Sequence, residues 1–351
     1  MPVPSVEGSA HPSGLLLEVL EEARRRVIDE IRCRVPASRR DTGDLYRLML
    51  DYPLRPAKAL RPALCIAACR IFGGSLDQAL PSAAALELYH NAFLIHDDVE
   101  DRSELRRGAP TLHRLHGVPV AINVGDGMLA LAMAPLLDNV RHLGLIRALR
   151  ILDVVGEMAR ESAEGQAMEL AWIRDGSFDL VDRDYVRMVY KKSTHYSFVT
   201  PLTVGALAAG AGDRARRGLQ RFGALLGIAF QIQDDLLNLA DVTGRSGKEA
   251  QGDLWEGKRT LILLHAFRSA RADVRAVAEE MLRRPREERT AADVGFLWGI
   301  IEASGSVGYA RDQALRHCLR ARRTLAGLGL PPGRDRDFFS ALVDFVVERD
   351  R

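Results

Sequence analysis

Lysine is scarce in this chain of 351 residues: of 49 basic side chains, five are lysine (Lys58, Lys191, Lys192, Lys248 and Lys258) and 44 are arginine. A GC-rich coding bias accounts for the surplus of guanidinium. It also singles out the surviving ammonium groups as places where a compact point charge suits better than a planar fork. Cysteine is scarce too, and four residues (Cys33, Cys65, Cys69 and Cys318) in so long a chain exclude a disulfide framework. Cys65 and Cys69 stand four apart without His or Cys partners at zinc-like spacing, so core thiols are expected. No uninterrupted apolar run reaches the roughly 18–20 residues of a membrane span. The best stretches, 222–230 and 201–212, are short or glycine-rich, and a membrane-embedded protein is not expected. Residues 1–14 lack a basic start and an apolar signal core, which reads as a frayed leader on a cytoplasmic protein. A net charge of only +2, with acids matching bases along the chain, leaves no footprint for nucleic acid.

Helical periodicity is what the chain has in abundance. Apolar positions recur at helical spacing over 15–35, 60–71, 82–101, 118–140, 145–174, 184–209, 214–238, 258–271, 273–282, 291–303, 306–328 and 335–349. Alternating strand patterns are essentially absent. Breaks fall at Gly73-Gly74, Gly108-Ala109-Pro110, Asp175-Gly176, 210–213, the polar run 241–257, 283–288 and Pro331-Pro332-Gly333. None reads as a linker, and no fixed-period repeat is present. The expectation is an all-α single domain over 15–351, a helical bundle around a central cavity.

Two acidic groups carry the chemistry. Asp97-Asp98-x-x-Asp101 places two carboxylates one helical turn apart on one face, with Asp98 beside them. A solvated acidic face could tolerate that repulsion. Here the motif follows the apolar run 92–95, which puts the acids at the mouth of a buried pocket, where clustered carboxylates need a cation and all-oxygen ligation points to Mg²⁺. A second apolar helix, 222–230, ends in Gln231, Asp234, Asp235 and Asn238 in the same manner. Two such helix ends facing each other could hold several Mg²⁺ ions that bridge a diphosphate and stabilise its departure. Basic residues surround both groups: Lys58 and Arg61 at a helix start, Arg106 and Arg107 one turn past the first motif, Lys192 before Ser193, and Lys248 and Lys258 after the second. Paired arginines can grip phosphate oxygens bidentately.

These motifs and their order resemble the trans-isoprenyl diphosphate synthase (polyprenyl synthetase) family. The likeness runs from about Lys58 to Leu264, through Lys58-x-x-Arg61-Pro62, His90 to Asp101, Arg106-Arg107-Gly108, Asn123 to Asp126, Lys192-Ser193, Phe230 to Asp235, Gly247-Lys248 and Gly257-Lys258. The resemblance implies Asp97, Asp101 and Asp234 as the main Mg²⁺ ligands, with Asp98, Asp235 and Asn238 in support. It implies that Arg106, Lys192, Lys248 and Lys258 hold an allylic diphosphate and that Lys58, Arg61, His90 and Arg107 hold isopentenyl diphosphate. Gln231 and Ser193 would face the reacting carbons, and Lys191 would face solvent. A homodimer is likewise implied. Four departures stand out: Ala57 and Ala59 replace a glycine and a basic residue, Asn238 the third aspartate, Ser193 a threonine, and Gln251 a glycine.

The implied reaction is a head-to-tail condensation in which pyrophosphate leaves the allylic substrate and isopentenyl diphosphate attacks the resulting cation. Closure of the polar run 241–257 is expected to exclude water. Phe93, one turn below Asp97, and small Ala92 beside it set the depth of the tunnel in the family, and this pair suggests a C20 product with C15 as the alternative. A class I terpene cyclase would need an Asn/Ser/Glu metal motif that is absent and would not need Lys58, Arg61 and Arg107. A non-catalytic partner subunit would not keep both acidic motifs.

Overall fold

A capping box starts the helix that carries the first acidic motif. Ser75 Oγ accepts from the Gln78 N–H at 3.4 Å, and the Ser75 N–H donates to Gln78 Oε1 at 2.9 Å. Two orphan donors are thereby satisfied and the helix runs Leu76–Glu100. Periodicity alone would start it at residue 82. In this computed structural model, which describes residues 12–37, 40–240 and 251–348, the Leu76–Glu100 helix is central, with Ala83, Ala84, Ala85, Leu88 and Ala92 fully enclosed. Most of the leader 1–14, most of the run 241–257 and Lys248 with it lie outside the described residues. The first helix, Pro12–Arg34, already begins inside the expected leader.

The helices Leu60–Arg70, Val118–Leu131 and Met133–Leu143 pack against the central one. Beyond them lie Leu145–Arg174, Thr200–Ala208, Asp213–Ala240, Leu261–Ser269, Ala291–Ala303, Ser306–Ala326 and Arg334–Glu348. The result is one all-α bundle, and its strand content among the described residues is a hairpin of two two-residue strands pairing Leu105 with Pro110 and Arg106 with Ala109. The core falls into two clusters, a larger one around the central helix and a smaller one around Tyr185, Leu236, Ile262 and Leu297.

Two helices expected to be continuous are broken, both at proline. Val118–Leu131 stops at Ala132 and Met133–Leu143 restarts, because Pro135 has no N–H to donate to the carbonyl of Leu131. Although it is not one uninterrupted run, the stretch Val118–Leu143 is the one among the described residues that reaches membrane-span length and hydropathy, with a best window of 1.6. The second break divides 184–209 into Asp182–Val189, a π-helical segment Tyr190–Val199 and Thr200–Ala208, the last opening on Thr200-Pro201. A wide π turn of this kind re-aims the side chains it carries, and these include Lys192 and Ser193. Cys65, Cys69 and Cys318 are buried free thiols and Cys33 is an exposed one.

Candidate active site

A cavity of about 560 Å³ lies between the two core clusters. Its polar end is lined by Asp97, Arg106, Lys192, Asp234, Asp235 and Lys258, so both acidic motifs and three of the expected cations meet there. Its apolar walls include Phe93, Leu94, Leu129 and Phe198.

Each scarce lysine in the cavity bridges one motif aspartate and one glutamate outside the motifs. Lys192 Nζ lies 3.2 Å from Asp97 Oδ1 and 2.5 Å from Glu169 Oε2. Lys258 Nζ lies 2.7 Å from Asp101 Oδ2 and 2.6 Å from Glu256 Oε2. Burial works against both ammonium ions, but these carboxylates outweigh it and hold both pKa values above the ordinary lysine range. Lys191 points elsewhere, to Glu161 and Glu164.

The three aspartates of the first motif differ in environment. Burial opposes the charge on Asp97, yet Lys192, Lys258 and Arg106 together hold its carboxyl below the ordinary range. Asp101 goes the other way: burial comes first, Asp97 and Glu256 repel, and its pKa rises to about 7 despite Lys258. Asp98, only 1% exposed, is turned away from the cavity. It accepts from Arg106 Nε at 2.9 Å and from the Tyr52 hydroxyl at 2.6 Å, and burial raises its pKa. In the second motif Asp235 accepts from Tyr185 at 2.7 Å and from Gln231 Nε2 at 2.9 Å, while burial lifts its pKa to about 7. Asn238 offers its carbonyl oxygen to the Asp253 N–H at 3.0 Å, tying the short Gly252–Glu256 helix to the end of the Asp213–Ala240 helix. Among the described residues no three His, Cys, Asp or Glu groups converge as a closed metal cage, since the carboxylates face cations and hydroxyls.

The hairpin places the two arginines. Arg107 and Gly108 both have positive φ (53° and 76°), the pair required by a tight type I′ turn, so successive arginines leave on different faces. Arg55 clamps the turn by donating to the carbonyls of Arg106 at 2.8 Å and Pro110 at 2.8 Å. Arg106 then faces the aspartates, and Arg107 donates to the Tyr52 carbonyl at 2.7 Å and lies 3.4 Å from His90 Nε2. Burial, followed by Arg61, Arg107 and Arg106, drives the His90 pKa well down, so this imidazole is neutral. Arg61 stacks 4.4 Å over the Tyr196 ring and donates to Ser197 Oγ at 2.7 Å, while its buried Nε has no partner among the described residues. Lys58 stands apart, exposed and 4.4 Å over the ring of Phe345. Ser193 and Gln231 line the cavity. Of the two expected depth residues, Phe93 lines it and meets Tyr196 edge-on at 5.6 Å, whereas Ala92 is enclosed in the core.

Four residues escape the sequence reading, Tyr52, Tyr185, Glu169 and Arg55, and a fifth, Glu256, stands in the motif that runs on through Gly257-Lys258 but has no role assigned from sequence. Tyr52 and Tyr185 reach their aspartates across 46 and 50 residues, a separation that no local pattern signals. Glu169, 5% exposed on the inner face of the Leu145–Arg174 helix beside Gly165 and Ser162, is buried by a tertiary contact that its local sequence does not signal. Gln251 sits at φ 53°, so the side chain that replaces a glycine is held in the left-handed region at a cost of about 1 kcal/mol.

A helical bundle with an apolar cavity and two carboxylate motifs at its polar end defines the type I isoprenoid synthase fold, whose members act on diphosphate esters. The sequence model of the polyprenyl synthetase family matches residues 44–295, and the chain belongs to that family; it is a trans-prenyltransferase. It is 31% identical over 343 residues to a geranylgeranyl diphosphate synthase of Methanosarcina mazei, covering 96% of this chain and 99% of that one. It is 33% identical over 296 residues to a geranylfarnesyl diphosphate synthase of Aeropyrum pernix, covering 83% and 90%. Among solved structures, the geranylgeranyl pyrophosphate synthase of Corynebacterium glutamicum, complexed with isoprenyl diphosphate and magnesium, superposes with a TM-score of 0.83 at 26% identity, covering 95% and 99%.

Proposed function

We propose that this prenyltransferase condenses isopentenyl diphosphate with an allylic diphosphate to make geranylgeranyl diphosphate (C20). The observation that carries the reading is the single cavity with paired carboxylates and lysines at one end and Phe93, Leu94 and Phe198 along its walls. The donor set fits Mg²⁺: Asp97, Asp101 and Asp234, supported by Asp235 and Asn238, supply hard oxygens only, and burial lifts the pKa values of Asp101 and Asp235. Asp98, expected among them, instead accepts from Arg106 and Tyr52 and supports the site through Arg106. Mg²⁺, when bound, neutralises diphosphate oxygens and favours their departure.

Arg106, Lys192 and Lys258 hold the allylic diphosphate, with Lys248 outside the described residues as a fourth cation. Arg61, neutral His90 and Arg107 form a second donor cluster for isopentenyl diphosphate, and Lys58 must swing from Phe345 to join it. The allylic C–O bond breaks and the diphosphate leaves with its electron pair. The isopentenyl double bond forms the new C–C bond, and the departing diphosphate takes the proton. Ser193 and Gln231 stand beside the reacting carbons, and the apolar wall keeps water from the cation.

Phe93 forms the floor with Tyr196, and Tyr89 lies one further turn down, 5.9 Å from the Phe93 ring. One helical turn is roughly 5.4 Å, close to an isoprene unit. Phe93→Ala is therefore expected to lengthen the main product by one unit and then stop at Tyr89, as read by chromatography of the dephosphorylated products. An unchanged product would remove Phe93 from the floor.

Asp101 and Asp235 must lose protons to bind metal, and their pKa values of about 7 set the pH at which they do so. Mg²⁺ affinity, read by titration calorimetry with a non-hydrolysable diphosphate analogue, is expected to weaken by roughly tenfold per carboxylate from pH 8 to pH 6. A flat profile would contradict this. A second copy of the chain is proposed to cover the exposed side chains Val118, Ile122, Leu137, Val140, Ile146 and Leu149 on three consecutive helices, giving a homodimer.

A further inference from the structure

Away from the cavity, the helices Asp213–Ala240 and Ser306–Ala326 pack side by side and leave a surface groove between them of about 550 Å³. Four arginines line it, Arg214 and Arg221 from one helix and Arg320 and Arg323 from the other, over a floor that includes Gly218, Leu225 and Leu328. Arg217 and Arg316 extend the two rows. The spacings 214, 217, 221 and 316, 320, 323 keep each row on one helix face. All six are exposed, and none forms an ion pair among the described residues. The neighbouring Arg216 and Arg322, by contrast, pair with Asp213 and Asp344. Asp312 is the carboxylate on the outward face of the second row, and it too has no ion pair there.

Six uncompensated guanidinium groups on one face repel one another and cost stability unless an anion meets them. Beside the second row two large apolar side chains stand in water, Leu315 at 44% and Leu319 at 45% exposure, one turn apart. Basic rows flanked by exposed leucines fit a surface that is both anionic and apolar. A soluble polyanion would leave the leucines in water. We propose that the arginine-lined groove between Asp213–Ala240 and Ser306–Ala326 docks on an anionic phospholipid surface, phosphate groups entering the groove and Leu315 and Leu319 dipping into the headgroup layer. The inference stands on this face alone and does not depend on the product proposed above.

The test is flotation of the full-length protein with vesicles of phosphatidylcholine alone or with about 30% phosphatidylglycerol, at about 50 mM and about 500 mM salt. Binding is expected on the anionic vesicles only, weakening at high salt. The triple variant R221Q/R320Q/R323Q is expected to bind at least about tenfold more weakly, while R221K/R320K/R323K keeps most of the binding. Prenyltransferase activity on soluble substrates should be unchanged in both variants, which shows that they fold. Equal recovery with neutral vesicles, no recovery at all, or anionic binding that the glutamine variant retains would each overturn the proposal. So would calorimetric binding of inorganic phosphate that the glutamine variant loses, if the vesicles are not bound.

Discussion

Asp97→Asn is expected to lower kcat by a factor on the order of 10³ while leaving the circular dichroism spectrum and melting curve close to those of the unaltered protein. Asp97 is the carboxylate of its motif whose pKa is held below the ordinary range, since Lys192, Lys258 and Arg106 outweigh its burial, and it faces the cavity. The neutral amide removes charge at the point where a metal–diphosphate complex must be met. It strands no cation, because Lys192 keeps Glu169 and Arg106 keeps Asp98. Asp98→Ala is expected to show the reverse pattern. It removes the buried hydrogen-bond partner of both Arg106 and Tyr52 and leaves Arg106 with Asp97 at 3.7 Å, so the loss is expected to approach the roughly 3–5 kcal/mol of breaking a buried pair. Two adjacent aspartates thus separate into one whose loss is read in turnover and one whose loss is read first in stability. Equal effects on both readouts would refute the division.

Gly165→Ala is expected to lower kcat by about 10²-fold and stability by about 1–3 kcal/mol. In a helix interior this change ordinarily stabilises by up to about 1 kcal/mol. Here a Cβ would stand 2.2 Å from the Lys192 backbone nitrogen and 2.6 Å from its Cα, so the two helices must part and carry Lys192 away from Asp97. Gly156 supplies the control, since it lies on the same Leu145–Arg174 helix and its added Cβ would meet nothing within 4 Å. Gly156→Ala should leave turnover unchanged and match or exceed the original stability. A harmless Gly165→Ala would mean that the close approach does not position Lys192.

The parts of the site legible in the sequence are those that local spacing encodes. Asp97 and Asp101 are one turn apart, an apolar run precedes each acidic motif, and five lysines among 49 basic residues mark themselves. Helix bounds are legible where a cap or glycine writes them, as in Leu145–Arg174 and Ala291–Ala303. They are misread where a proline falls inside a strong apolar pattern, because periodicity reports burial and does not see a missing N–H at Pro135 or Pro201. Long-range partners leave no trace. Tyr52, Tyr185 and Glu169 decide which aspartates are locked and which face the cavity, yet each acts through a tertiary contact. Lys58 shows the opposite failure, a residue in motif order whose side chain rests on Phe345.

The most direct test of the central claim is to incubate the purified protein with Mg²⁺, isopentenyl diphosphate and each allylic primer in turn, then identify the product by mass spectrometry. The expected result is a linear C20 diphosphate, formed only with Mg²⁺ and with release of one pyrophosphate per isopentenyl unit added. A cyclised hydrocarbon, or no consumption of isopentenyl diphosphate with any primer, would contradict the assignment of the two donor clusters to two diphosphates.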